Sequence, residues 1–228
     1  MSEYICASRD EASALAAERI TLALNNRLGK QPSASVVVSG GTTPARCYEQ
    51  LAHAAVDWER VHALLSDERW VPADNENSNE KFVRTTLLQN GAAAAQLLPV
   101  YSADINVAAG ALAFDASIRT LPFPFAAALL GMGTDGHFGS LFPDAHNLDE
   151  GLDVDGSRLV IPVTTAASPH PRISLTLAAL SRSDEIVLLI FGDEKREVYE
   201  RSKSKAAHYP VTSLLLQKRA PVQVIWAP

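Results

Sequence analysis

One segment of the sequence places an acid and a histidine within a glycine-rich turn, Gly131-Met-Gly-Thr-Asp-Gly-His137. Asp135 and His137 are close enough in the chain for the carboxylate to hold the imidazole through a hydrogen bond. An imidazole exchanges a proton near neutral pH, so a histidine held in this way is a candidate general base. The apolar run from Phe125 to Leu130 predicts a buried strand directly before the turn. Ligands of open α/β sheets bind at the carboxyl ends of strands, where this turn should lie.

A second glycine-rich turn, Ser39-Gly40-Gly41-Thr42-Thr43-Pro44, could bind an anion. It follows a β-branched run from Ala34 to Val38, which predicts a strand, and it precedes a segment with helical character from Ala45 to Ala55. Backbone N–H groups at such a turn can converge on an anion together with the Ser39, Thr42 and Thr43 hydroxyls. The turn lacks the Gly-Lys-Ser/Thr of a Walker A loop. It is a candidate phosphate cradle, and a simple capped turn is the alternative.

Charged residues lie at the ends of three other predicted elements. Asp67, Glu68 and Arg69 come after the apolar run from Val61 to Leu65, where a solvated Asp67–Arg69 ion pair is the alternative to a functional role. Arg172 lies where a loop leads into a segment of alternating character. Lys195 falls in the first turn of a helix, where the macrodipole disfavours a cation. Its position indicates an anionic partner, either a ligand or a neighbouring acid.

The elements that must position these residues alternate between strands and helices. The chain has 228 residues, of which 47% are hydrophobic and 20% charged, as expected for one globular domain spanning 1–228. The alternation predicts an α/β fold with an open sheet. The further predicted elements are a strand at Tyr4–Ala7, a helix capped by Asp10 and ending at Gly29, strands at Leu97–Tyr101, Leu159–Val163, Glu185–Phe191 and Val222–Trp226, and a helix at Val107–Arg119.

Composition excludes several classes of partner. A net charge of -6 argues against a general affinity for nucleic acid. Cys6 and Cys47 form no CxxC or Cys/His cluster, so neither a disulfide framework nor a metal site is predicted, and no cofactor is expected. The amino terminus lacks a basic region leading into an apolar core, and no apolar run approaches the roughly 20 residues of a membrane span. We therefore expect a cytoplasmic protein, with a monomer as the default.

A dinucleotide site is a competing interpretation of the first turn. Gly131, Gly133 and Gly136 satisfy GxGxxG, and Asp155 lies about twenty residues further on. A Rossmann turn leads directly into a helix and a second strand, whereas here Pro143 follows closely and strand character resumes only near Leu159. This context argues against a nicotinamide or flavin site.

Five segments along the chain form a recognisable set: Ser39 to Pro44, Asp67 to Arg69 with Asn79 beyond it, Gly131 to His137 with Ser140 to Pro143, Pro171 to Thr176, and Gly192 to Lys195. In this order the set resembles the 6-phosphogluconolactonase family. The resemblance implies an α/β, three-layer, Rossmann-like fold with a mostly parallel sheet flanked by helices. This fold is related to those of glucosamine-6-phosphate deaminase, ribose-5-phosphate isomerase and the CoA transferases. It also implies hydrolysis of 6-phospho-D-glucono-1,5-lactone to 6-phosphogluconate, a step of the oxidative pentose phosphate pathway.

The resemblance implies a role for each candidate residue. His137 would be the general base, and Asp135 would either hold its imidazole or position the water. Asp67 would orient the substrate hydroxyls or the attacking water. Arg69 would face either the developing oxyanion or the phosphate. The phosphate would be held by the turn of Ser39, Gly40, Gly41, Thr42 and Thr43 together with Arg172 and Lys195. The reaction needs no metal or cofactor.

Two other functions share parts of this pattern. The deaminase continues from its histidine to Phe-Asn-Glu-Pro, whose carboxylate helps to open the sugar ring, whereas this chain has Leu141-Phe142-Pro143. Arg69 also stands where the deaminase typically has an aromatic residue. A sugar-phosphate sensor of the same fold would carry a DNA-binding domain, which the acidic single-domain chain does not indicate.

Overall fold

The computed structural model describes residues 1–166, 168–204, 206 and 208–228. Its strands are β1 (Ser2–Ile5), β2 (Ala34–Val38), β3 (Val61–Leu65), β4 (Asp67–Arg69), β5 (Gln96–Leu97), β6 (Ala127–Leu130), β7 (Val160–Val163), β8 (Arg172–Leu175), β9 (Ile186–Phe191) and β10 (Val222–Ala227). Its α-helices are α1 (Arg9–Leu28), α2 (Ala45–Leu51), α3 (Asn79–Thr86), α4 (Val107–Ile118), α5 (Leu148–Leu152), α6 (Leu177–Leu180), α7 (Asp193–Ser202) and α8 (Pro210–Leu216).

A seven-stranded parallel sheet organises the described residues, in the order β1-β10-β9-β6-β2-β3-β5. All residues of β2 and β6 are buried, and the apolar character that predicts them follows from burial on both faces of a parallel sheet. After β2 the chain builds the sheet outward through β3 and β5, then returns to β6 on the other side of β2. The chain therefore leaves β2 and β6 toward opposite sides of the sheet. The gap between these two connections is the crevice in which open α/β sheets bind ligands. The predicted α/β class with a mostly parallel sheet is confirmed.

A second, three-stranded antiparallel sheet in the order β4-β8-β7 was not predicted. Asp67, Glu68 and Arg69 follow β3 as expected, but they form the strand β4 and pair with β8, Asp67 opposite Ser174 and Arg69 opposite Arg172. The predicted strand near Leu159 to Val163 forms β7 and also joins this sheet. The consequence for function is that Asp67, Arg69 and Arg172 are held by one ladder.

Several predicted boundaries differ from those observed. Helix α1 is capped by Ser8, whose hydroxyl accepts a hydrogen bond from the Glu11 main-chain N–H at 3.2 Å, and Asp10 lies in the first turn. The predicted strand from Tyr4 to Ala7 is found as β1, which begins earlier at Ser2. The predicted strand from Leu97 to Tyr101 is reduced to β5, which pairs only with β3 at the sheet edge.

Hydrophobic packing holds helices against the sheet. Ala12, Ala16, Ile20 and Leu24 of α1 are at most 1% exposed and recur at the spacing of one helix face. That face is part of the core cluster that includes β2, β6 and β9, so α1 is fixed by burial rather than by its termini. No helix among the described residues is long and apolar enough to cross a membrane.

Candidate active site

One cavity of about 280 Å³ contains nearly all of the candidate residues. Asp135, the one candidate outside the lining, contacts the cavity through His137. The lining comprises Ser39, Gly40, Gly41, Thr42, Thr43, Asp67, Arg69, Asn79, Gly131, Met132, Gly133, His137, Gly139, Arg172 and Lys195.

The strand order explains why these distant segments meet. The adjacent parallel strands β9, β6, β2 and β3 all end at the same edge of the sheet. Lys195 follows β9, His137 follows β6, the Ser39 turn follows β2, and Asp67 follows β3. The cavity therefore lies at the carboxyl edge, across the boundary between β2 and β6.

The Asp135–His137 pair forms in a tight turn after β6. The Nδ1 atom of His137 lies 2.6 Å from Asp135 Oδ1, which also accepts a bond from the His137 main-chain N–H at 3.2 Å. Because a carboxylate can only accept, the imidazole carries its proton on Nδ1 and leaves Nε2 free to accept another. Gly133 is required here, since a Cβ at that position would lie 2.3 Å from the imidazole. Gly136 adopts a φ of +77°, a conformation that favours glycine.

The turn after β2 presents donors to the same cavity. Tyr48 anchors the turn because its hydroxyl donates to the Ser39 carbonyl at 2.7 Å and accepts from the Ser39 N–H at 2.8 Å. Burial raises the pKa of Tyr48, which keeps this hydroxyl protonated. The Ser39 hydroxyl is buried without a partner among the described residues. A buried donor of this kind is costly unless a ligand satisfies it.

Asn79 links the Ser39 turn to the charged strand β4. Its amide donates to the Asp67 carbonyl at 2.9 Å. Its side-chain oxygen lies 1.9 Å from where a Cβ on Gly40 would be, so only glycine fits at Gly40. The backbone of the turn thus approaches Asn79 closely, and its position depends on this side chain.

Asp67 is held in a buried network with Arg172. Its Oδ2 accepts a bond from the Ser140 hydroxyl at 2.6 Å and lies 3.7 Å from Arg172 Nη1. Its Oδ1 accepts from the Ser66 hydroxyl at 2.9 Å. The alternative of a solvated Asp67–Arg69 pair is wrong, because Asp67 is buried and its cationic neighbour is Arg172.

Two arginines face the cavity from opposite positions of the second sheet. Arg69 and Arg172 are cross-strand partners, and like charges opposite one another destabilise a ladder. Burial lowers the pKa of Arg172; the charge of Asp67 opposes this effect and the charge of Arg69 adds to it, although an arginine stays cationic in proteins. The Nε atom of Arg69 is buried without a hydrogen-bond partner among the described residues. An anion in the cavity would offset these unfavourable features.

Lys195 contributes a further cation from the first turn of α7. Burial lowers its pKa, and nearby Arg9 also lowers it, while Glu194 opposes both effects. Within the described part of the chain Lys195 forms no ion pair within 4.0 Å, and the neighbouring Glu194 acts on it only through its charge. Its ammonium remains available to an anionic ligand.

Sequence reasoning gave no role to several side chains that build this site. Glu68 accepts bonds from the N–H groups of Arg69, Asn79 and Glu80 and from the Ser78 hydroxyl, and so fastens α3 to β4. Burial raises the pKa of Glu68 against the effect of these donors. Ser140 and Phe142 contact Asp67 and His137 respectively. The sequence signal for Glu68 and Ser140 was their place inside the motifs that carry the resemblance, and Phe142 served only to separate this chain from the deaminase.

No group of three or more metal-ligating side chains, of the kinds histidine, cysteine, aspartate and glutamate, occurs in the described parts of the chain. The donors that surround the cavity are instead hydroxyls, main-chain groups and cations. This donor set suits an anion.

The fold and the cavity define a class: an α/β protein with a crevice lined by cations and hydroxyls and a hydrogen-bonded Asp–His pair at the carboxyl edge of its parallel sheet. The chain belongs to the family of glucosamine-6-phosphate isomerases and 6-phosphogluconolactonase, whose model matches residues 7–226. It is 39% identical over 222 residues to a 6-phosphogluconolactonase of Caulobacter vibrioides, covering 96% of this chain and 94% of that one.

Further relatives carry the same name. A 6-phosphogluconolactonase of Mesorhizobium japonicum is 37% identical over 220 residues, covering 96% of this chain and 92% of the relative. The crystal structure of a 6-phosphogluconolactonase from Shewanella baltica superimposes with a TM-score of 0.95 at 33% identity, covering 100% of this chain and 98% of that one. The expected family is confirmed.

Proposed function

We propose that this protein hydrolyses 6-phospho-D-glucono-1,5-lactone to 6-phosphogluconate in the oxidative pentose phosphate pathway. One observation carries the proposal. A single cavity joins His137, whose imidazole is held by Asp135, to a cradle that could bind an anion. The cradle consists of cationic side chains and of hydrogen-bond donors without a partner among the described residues. A proton acceptor beside an anion cradle is what a phosphorylated lactone requires.

His137 acts as the general base in this proposal. Its free Nε2 accepts a proton from water as the water oxygen bonds to the lactone carbonyl carbon. The bond from that carbon to the ring oxygen then breaks, and the imidazolium returns the proton to the departing ring oxygen. Asp135 keeps the imidazole in the required tautomer through its bond to Nδ1. General acid–base catalysis of this kind contributes typically about 10²- to 10⁴-fold in rate.

The phosphate is held by the turn from Ser39 to Thr43 with Arg172 and Lys195. The Ser39 hydroxyl and the backbone of Gly40 and Gly41 donate hydrogen bonds, and the two cations balance a dianion. Asp67 orients the substrate hydroxyls or the water from its network with Ser140 and Arg172. Arg69 also lines the cavity, where its charge faces either the developing oxyanion or the phosphate.

The deaminase alternative lacks a necessary group at this site. Phe142 lies beside the imidazole of His137, with ring centroids 4.2 Å apart. A phenyl ring cannot take or give a proton, whereas the deaminase pattern has a carboxylate in that part of its motif. The contact favours lactone hydrolysis over ring opening.

We also propose a cytoplasmic monomer. Both cysteines, Cys6 and Cys47, are buried as free thiols, which fits a reducing compartment. Gel filtration with light scattering would test the monomer directly, and elution at twice the chain mass would contradict it.

An assay with freshly made lactone tests the proposed function. Hydrolysis is followed by proton release, corrected for the spontaneous reaction, and compared with ammonia release from glucosamine 6-phosphate by the same preparation. We expect rapid hydrolysis and no ammonia. In the same assay Arg172→Ala should mainly raise KM, because it removes a phosphate contact. Ammonia release without lactone hydrolysis would overturn the proposal.

A further inference from the structure

We propose that Phe142 is a positioning residue, whose ring sets the placement of both the His137 imidazole and the Arg172 guanidinium. This inference rests on the function proposed above and deepens it. It concerns how one uncharged side chain couples the two halves of the site, the proton acceptor and the anion cradle.

Two contacts meet at the ring of Phe142. The imidazole of His137 lies against it, with centroids 4.2 Å apart and planes inclined by 33°. The guanidinium carbon of Arg172 lies over the same ring, 5.2 Å from its centroid. Phe142 is itself only 5% exposed, so its influence on the cavity passes through these two side chains.

The shared contact matters because both partners carry positive charge during turnover. Arg172 is cationic throughout, and His137 becomes an imidazolium when it takes the water proton. The face of an aromatic ring is negative and attracts cations within about 6 Å of its centroid. The ring therefore stabilises the proton-loaded imidazole beside a guanidinium, and it does so without titrating or competing for hydrogen bonds.

Other elements supply the remaining charges around His137. These groups are Asp135 in its own turn, Asp67 and Arg69 of β4, Arg172 of β8, Lys195 of α7, and the phenol of Tyr209 at the start of α8, which packs against Gly136. Replacing Phe142 by leucine changes none of these groups. A displaced acidic limb in the pH profile would therefore report the loss of the ring face.

The hydrogen bonds of Arg172 show why its guanidinium also needs the ring of Phe142. Arg172 donates through Nε to the Ser168 hydroxyl at 3.1 Å and through Nη1 to the Ser140 hydroxyl at 3.3 Å. These bonds fix the edge of the guanidinium, while Phe142 supports its face. Loss of the ring should therefore loosen the phosphate contact and raise KM, in addition to lowering kcat.

The experiment compares wild type, Phe142→Leu and Phe142→Tyr in lactone hydrolysis between about pH 5 and 8. For Phe142→Leu we expect kcat to fall about 10-fold and KM to rise about 3-fold. The acidic limb of kcat/KM should move to lower pH by about half a unit, because the imidazolium loses a stabilising contact. Phe142→Tyr keeps the ring and should retain the wild-type limb. If Phe142→Leu does not fold, Phe142→Met serves in its place.

Phe125→Leu provides the matched control. Phe125 is fully buried at the opposite end of the strand that leads to His137, and its ring contacts Phe123 rather than the site. The Phe125→Leu variant should lose thermal stability, while its kcat, its KM and the acidic limb of its kcat/KM profile should match those of wild type. Unchanged kinetics in Phe142→Leu, or the same kinetic changes in Phe125→Leu, would overturn the proposal while wild type remains active. Absence of hydrolysis by wild type would instead remove the proposed function, and this proposal with it.

Discussion

Replacement of Ser140 by alanine probes the buried network that holds Asp67. Ser140 is fully buried, and its hydroxyl donates to Asp67 Oδ2 at 2.6 Å while it accepts from Arg172 Nη1 at 3.3 Å. Alanine fits the same space and removes both bonds. Asp67 then keeps the Ser66 hydroxyl on its other oxygen and Arg172 at 3.7 Å as its nearest cation.

The magnitude follows from the chemistry of the lost bond. A hydrogen bond to a charged group contributes about 1.5–3 kcal/mol to stability, and Asp67 is mostly buried, so the loss of the Ser140 donor should fall in this range. For a chain of 228 residues, each kcal/mol moves the melting temperature by about 2–4 °C, so we expect a fall of roughly 3–12 °C. Because Asp67 and Arg172 both lose orientation, kcat/KM should fall about tenfold, equivalent to about 1.4 kcal/mol of transition-state stabilisation.

Thermal unfolding and lactone hydrolysis are measured on the same preparations, with Ser183→Ala as the control. The Ser183 hydroxyl is also buried but donates to the Leu180 carbonyl, outside the site. The control should lose no more than about 1.5 kcal/mol of stability and none of its activity. An unchanged kcat/KM in Ser140→Ala, despite the expected loss of stability, would refute the positioning role of Ser140.

Two further predictions concern the anion cradle. Gly40→Ala should displace Asn79, because the new Cβ would lie 1.9 Å from its side-chain oxygen, and KM for the lactone should rise at least tenfold with a smaller change in kcat. An unaltered KM would show that Asn79 does not set the turn. Burial lowers the pKa of Lys195, so its ammonium loses its proton at a lower pH than an ordinary lysine. Calorimetric affinity for 6-phosphogluconate should therefore fall toward alkaline pH in wild type and stay level in Lys195→Arg, and identical pH dependences would argue against the contact.

The central part of the fold could be predicted from the sequence because its signals are local. The bounds of β2 and β3 match their apolar runs, since strands buried on both faces are continuously hydrophobic. The two glycine turns follow strands of a parallel sheet, and the carboxyl ends of such strands share one edge. This geometry brings the Ser39 turn and His137 into one cavity, as expected from their positions.

The second sheet could not be predicted because its pairing is not local. Asp67 pairs with Ser174, more than a hundred residues away, and a strand of three charged residues has no alternating pattern to detect. Long separation also hides the Asp67–Ser140 bond and the contact of Phe142 with Arg172. Sequence motifs placed these residues near the site, but only the folded chain shows which of them touch.

The most direct test of the central claim is the turnover of His137→Ala on fresh lactone, corrected for spontaneous hydrolysis. If His137 is the proton acceptor, kcat should fall by about 10²- to 10⁴-fold while KM stays close to that of wild type, since the phosphate contacts are untouched. Thermal unfolding of the same sample establishes that the variant is folded. A folded His137→Ala that retains the wild-type kcat would contradict the assignment of the base.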